Sequence, residues 1–151
     1  MKKEIKQMQL ATMLAYTAKC KEEVPIGALV VKNNKIIAKA YNLREHHQIA
    51  THHAEILAIQ KACKKLHSWR LDNCDLYVTL EPCPMCAGAI LNARIKNVYY
   101  AVADEQSGGF SKFNITSSLN HTANVIHDTE FENENKNLIQ SFFKEKRKKA
   151  R

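Results

Sequence analysis

The strongest constraint in this chain is a pair of short strings, His53-Ala54-Glu55 and Pro82-Cys83-Pro84-Met85-Cys86, the second starting 27 residues after the glutamate. Together they offer one imidazole, two thiols and one carboxylate, and a fold that uses them must bring two separate segments to one point. Structural zinc sites close a tetrahedron with four protein ligands, whereas hydrolytic sites keep the fourth position for water. Three ligands with a carboxylate beside them therefore read as a hydrolytic metal site, where the ion makes water acidic enough to act as a nucleophile near neutral pH.

The spacing explains how each group would serve. Cys83 and Cys86 are three residues apart at the expected opening of a helix, so both sulfurs fall on one face. Pro82 and Pro84 bracket the first cysteine, and proline suits the first helical position. Free N–H groups and the helix dipole at such a start lower thiol pKa values and favour thiolates. With His53 capping a second helix, Glu55 falls in its first turn, where its carboxylate can shuttle protons without binding the ion. In an arbitrary helix a glutamate there would simply suit the dipole; the flanking ligand argues for catalysis. A zinc ribbon would need a second cysteine pair, which is lacking, and a redox Cys-x-x-Cys has no use for an upstream His-x-Glu. His46, His47, His52, His67, His121 and His127 remain available to complete a closed four-ligand site.

At 151 residues the chain is expected to form one domain, residues 1–151, with a single core. No apolar run approaches the roughly 18–20 residues of a membrane helix. The opening Met1-Lys2-Lys3-Glu4-Ile5-Lys6 runs into Gln7, Gln9 and Thr12, too polar for a signal-peptide core. The expectation is a cytoplasmic protein that makes no membrane contact. Five cysteines, an odd number, agree with a reducing compartment. Cys20, Cys63 and Cys74 lie in or beside apolar segments and are expected to be buried thiols. The net charge of +8 is concentrated at the end, where Lys144–Arg151 hold six cations and one anion, net +5. Such a patch fits a polyanionic partner, and equally a solvated helix end whose cations complement the dipole.

Apolar spacing at Ile5, Met8, Ala11, Ala15 and Ala18 predicts a first helix over 5–21. Residues 28–31 and 36–40 read as strands joined through Lys32-Asn33-Asn34-Lys35, because asparagine tolerates the positive φ of a tight hairpin. Residues 44–51 read as a polar loop, and a second helix starts near His53. A strand at 76–80, a short apolar helix at 86–93, a strand at 97–102 and a basic closing helix at 137–151 complete the series, with 108–118 loop-rich. Helices separating strands predict parallel pairs with helical layers on both faces, an α/β three-layer α/β/α sandwich around a mixed sheet.

Further strings extend the pattern: Glu23-Val24-Pro25-Ile26-Gly27-Ala28, Tyr41-Asn42-Leu43-Arg44, Ser68-Trp69-Arg70-Leu71 and Leu76-Tyr77-Val78-Thr79-Leu80-Glu81-Pro82. With the metal strings they resemble the bacterial tRNA-specific adenosine deaminases, from the first helix to about Phe113 and again weakly at Phe142-Phe143-Lys144. The resemblance implies a cytidine deaminase-like fold, a homodimer and one Zn²⁺ per subunit on His53, Cys83 and Cys86, with Glu55 as catalytic proton shuttle. It implies a reaction on the anticodon stem-loop of tRNA, converting the wobble adenosine of an arginine tRNA (ACG anticodon) to inosine. Activated water would attack C6 of a flipped-out adenine and ammonia would leave. The resemblance carries Asn42 as a polar contact to the base, Ile26 and Leu80 as apolar walls, and Ala54 and Asp104 as further substrate contacts. The chain departs at Ala50-Thr51-His52-His53, where the family usually reads Pro-Thr-Ala-His. Register sets His53 as the ligand, two residues before the glutamate, with His52 as a decoy. The segment 103–107 is also less basic than is often seen there. A small-molecule deaminase acting on guanine or cytosine would share the same zinc chemistry, and guanine deaminases share Pro-Cys-Pro-Met-Cys. A non-enzymatic zinc-stabilised RNA-binding module is the third reading.

Overall fold

The computed structural model describes residues 6–150. Ile5, the first position of the expected helix, and Arg151, the last cation of the tail, lie outside them. Helix α1 (Gln7–Cys20) buries Met8, Ala11, Ala15 and Ala18 on one face, as the spacing predicts, and adds Thr12, whose hydroxyl donates to the Met8 carbonyl at 2.8 Å. Strands β1 (Gly27–Lys32) and β2 (Lys35–Tyr41) form the expected antiparallel hairpin. Its turn residues Asn33 and Asn34 have φ of 50° and 60°, the left-handed pair that a two-residue hairpin requires. Gly27 is needed where α1 crosses β1, because a Cβ there would overlap the Ala11 carbonyl oxygen.

Helix α3 (Ala54–Leu66), strand β3 (Cys74–Leu80), helix α4 (Pro84–Asn92) and strand β4 (Asn97–Val102) follow. The sheet order is β2-β1-β3-β4-β5, with β5 (Asn124–His127) at one edge. The β3–β4 and β4–β5 pairs are parallel, while β1 runs antiparallel to both β2 and β3. One face carries Ala28, Val30, Leu76, Val78 and Val98 under α3 and α4. The other carries Leu29, Val31 and Ala101 under Met8 and Ala11 of α1. There Tyr77 stacks on Tyr99 at 4.6 Å. Each fully buried valine, leucine or methionine side chain stabilises the sandwich by roughly 1.5–3 kcal/mol. Helix α5 (Glu132–Lys149) joins α1 through Asn135, whose amide donates to the Thr12 hydroxyl and the Phe131 carbonyl, both at 2.9 Å. The three-layer α/β/α arrangement around a mixed sheet is the one expected. Among the described residues no helix is long and apolar enough to cross a membrane.

Several expectations need correction. The polar loop 44–51 contains a one-turn helix, α2 (Arg44–His47), which buries none of its residues and so leaves no apolar spacing. Strand β5 was not expected, because it is a short edge strand with exposed Asn124 and His127. The closing helix starts at Glu132 rather than 137, since its first turn is polar and anchored through Asn135. The β1–β3 pair is antiparallel because β1 enters the sheet as half of a hairpin, while the helix-separated strands β2, β3 and β4 run the same way, as expected. Cys74 is buried, but Cys63 is half-buried and Cys20 is exposed. Cys20 ends α1 and opens into a groove between that helix and α5.

Candidate active site

The topology gathers the site at one end of the strands. Since β2, β3 and β4 run the same way and β1 runs against them, three strand C-terminal ends and the start of β1 share that end of the sheet. Ile26 precedes β1, Asn42 follows β2, Leu80 ends β3 and Asp104 follows β4 by two residues. His53 is the N-cap of α3 and Cys83 the N-cap of α4, with Pro84 in the first turn. His53 makes no capping bond to its own helix and Cys83 bonds only Cys86 of its helix, so both face outward from the two helix starts.

There they meet. His53 Nδ1 lies 3.7 Å from Cys83 Sγ and 3.5 Å from Cys86 Sγ. All three ligand atoms fall within 4.8 Å of one another. A hydrogen bond from Cys86, reinforced by His53 and opposed by burial, lowers the Cys83 pKa to about 4. The Cys86 thiol is pushed up by its proton-sharing with Cys83, by burial and by the nearby Glu55 carboxylate. The bond to Cys83 raises the His53 pKa, with burial opposing. A thiolate, a thiol that shares its proton with it and an imidazole nitrogen form a donor set that suits a borderline-soft dication. Glu55 is 4% exposed, in the first turn of α3, and its Oε1 has no hydrogen-bond partner. Burial raises its pKa, against the lowering effect of backbone N–H bonding and the His53 charge. A buried, unpartnered carboxylate oxygen is destabilising unless something fills the space beside it. The residues present therefore fit a metal ion with a ligand of its own next to Glu55.

The other expected contacts divide. Ala54 is fully buried under the helix start, Asn42 is 5% exposed, and Ile26 and Leu80 are half-buried at that end of the sheet. Asn42 also closes a turn: its Oδ1 accepts the Arg44 N–H at 3.2 Å and its amide donates to the Val24 carbonyl at 3.4 Å. Asp104 Oδ1 accepts the Gln106 and Ser107 N–H groups at 3.2 and 3.0 Å, so that oxygen shapes its own loop. His52 faces away from the sulfurs, with Nδ1 2.7 Å from Nδ1 of His47.

Two buried acids had no role assigned from sequence. Glu23, fully buried, accepts the N–H groups of Glu45 and His46 at 3.1 and 2.8 Å and the His46 ring at 2.8 Å. Burial would raise its pKa, but these bonds outweigh burial and hold it below the ordinary carboxylate range. Glu81, 2% exposed, takes bonds from the loop after β4. The available signal was an acid closing an apolar run, as Glu81 closes Leu76–Leu80, because such a residue must find donors.

A family profile described as MafB19-like deaminase matches residues 1–147. The tRNA-specific adenosine deaminase of Bacillus subtilis (strain 168) is 44% identical over 147 residues, 95% of this chain and 91% of its own length. This chain belongs to the tRNA-specific adenosine deaminase family. A solved structure from work on A-to-I editing by tRNA:A34 deaminases superposes on this family member with a TM-score of 0.83. It is 39% identical and covers 87% of this chain and 97% of its own. The guanine deaminase of Bacillus subtilis is 44% identical with a TM-score of 0.63, over 64% of this deaminase and 62% of that chain. The cytidine deaminase-like fold and the deaminase class expected from sequence both hold.

Proposed function

We propose that this deaminase converts the wobble adenosine of the anticodon loop of an arginine tRNA (ACG anticodon) to inosine, as a zinc-bearing homodimer in the cytoplasm. The observation that carries the reading is the His53–Cys83–Cys86 cluster with the buried Glu55 carboxylate beside it, whose Oε1 has no partner. His53, Cys83 and Cys86 would hold one Zn²⁺ per subunit, which when bound would supply activated water. Glu55, kept basic by burial, would take a proton from the attacking water and pass it to N1 of adenine, then move the proton of the hydroxyl formed on C6 to the departing amine. The C6–N bond breaks as the C6–O bond forms, water is consumed and ammonia leaves. Ile26 and Leu80 flank the base as apolar walls, Ala54 brings the helix start close to it, and Asp104 borders it from the far loop. Asn42 offers both a donor and an acceptor to the base edge once its turn contacts yield. A loop target suits this cleft because unpaired bases unstack at low cost.

The test is to incubate the purified protein separately with an ACG anticodon stem-loop, adenosine and guanine, and to measure ammonia and inosine. Inosine from the stem-loop with little ammonia from the free compounds is expected. Deamination of guanine with none of the RNA would replace this reading by a free-base enzyme.

A further inference from the structure

We propose that Glu81 is a positioning residue, whose carboxylate fixes the 104–111 loop as a rigid wall of the cleft and thereby sets how tightly the RNA is held. Its second half rests on the tRNA reading above. Glu81 Oε1 accepts the Asp104 N–H at 3.0 Å, and Oε2 accepts those of Phe110 and Ser111 at 3.1 and 2.8 Å. The Ser111 hydroxyl adds contacts of 2.8 and 3.0 Å to the two oxygens. The carboxylate thus ties both ends of the loop to the end of β3, and among the described residues no cation pairs with it. Its charge is balanced by backbone dipoles and the Ser111 hydroxyl, so the loop must keep the conformation that aims them inward.

The glycines of the loop show how closely it is seated. A Cβ at Gly108 would overlap the Glu81 carboxylate, and one at Gly109 would lie 2.9 Å from the Cys83 carbonyl and 2.8 Å from Ala87 Cβ. Gly109 N–H donates to the Pro82 carbonyl at 2.7 Å. The loop backbone therefore rests on the turn that carries Cys83, with Glu81 pinning it from the strand side. Loop and ligand turn form one body, and the wall stands at a fixed distance from the metal ligands. Glu23 does the corresponding work for α2 on the opposite flank, but without contact to a ligand turn.

Glu81→Gln keeps the volume and places an amide NH₂ against a backbone N–H whichever way it is turned. Amides 104, 110 and 111 are expected to exchange with deuterium about tenfold faster, as expected for loss of one charge-assisted bond. Zinc stoichiometry should stay at the native value. KM for the stem-loop should rise about tenfold with kcat within about threefold, the signature of lost uniform binding. Ser111→Ala, which removes one hydroxyl donor and leaves the backbone intact, should move exchange and KM the same way by less. It decides the matter if Glu81→Gln fails to fold or loses zinc. Unchanged exchange in the loop, or faster exchange with an unchanged KM, would overturn the proposal. Failure of the native protein to make inosine from the stem-loop would instead remove the functional reading on which it rests.

Discussion

Cutting the chain after Phe143 removes Lys144–Arg151 and net +5 of charge. The buried anchors of α5, Leu138 and Phe142, stay in place. What is lost in the fold is peripheral: Lys19–Glu145 at 4.0 Å, Lys149–Glu22 at 3.5 Å and Lys146 over the Phe142 ring at 5.7 Å. Exposed pairs of this kind add little to stability, so the melting temperature and zinc content should barely move. RNA binding should change more. The tail borders a groove of about 840 Å³ between α5 and α2, lined by Lys19, Lys21, His46, Lys146 and Lys149 and by the acids Glu22, Glu45 and Glu145. Three phosphate contacts along that groove would lower the slope of log affinity against log salt by about 2–3, at 0.7–0.9 per contact. Between 50 and 200 mM salt, that slope makes the loss on truncation roughly 20–40-fold larger at the low-salt end. Titrating the ACG stem-loop into native and truncated protein across this range measures the difference. An unchanged affinity with an unchanged slope would show a solvated helix end and leave the tRNA reading on family membership and the cleft.

Glu55→Ala should retain stoichiometric zinc while turnover falls by about 10²–10⁴, the usual contribution of a positioned proton shuttle; metal analysis beside an inosine assay checks it, and loss of zinc would make Glu55 a ligand. His53→Ala should abolish zinc binding and His52→Ala should not, because His52 turns toward His47; the reverse result would shift the ligand assignment by one residue. The Glu23 pKa lies below its unfolded value, so its contribution is fully present above the ordinary glutamate range, near 4.3, and is lost as pH falls through the lowered native value. Glu23→Gln should accordingly flatten the acid limb of a stability–pH curve measured by thermal melting, and an unchanged acid limb would refute the assignment.

The clustering of His53, Cys83 and Cys86 was legible because each sits in a local frame, an N-cap or first turn, that spacing alone defines. The Asn33-Asn34 hairpin was legible for the same reason, since its φ values follow from residue type. Helix α2 was not legible, because a carboxylate 22 residues away organises it. Strand β5 pairs with β4 through backbone bonds that exposed side chains do not advertise. The roles of Glu23 and Glu81 depend on which loops fold over them, and no window of sequence contains both partners. Cys20 misled because apolar neighbours indicate a buried helix face but say nothing of where the helix leaves the sheet.

His53 and Cys83 cap different helices and are 30 residues apart in the chain. The ligand set proposed for zinc therefore exists only once α3 and α4 have both docked on the sheet, and the unfolded chain offers little more than its Cys-x-x-Cys. An ion that binds the folded form alone adds free energy by mass action, about 2.7 kcal/mol at a hundredfold excess over its Kd. The thermal midpoint should then track free zinc. Starvation for the metal would lower the amount of folded protein, and with it the cell's supply of the enzyme, as well as its turnover.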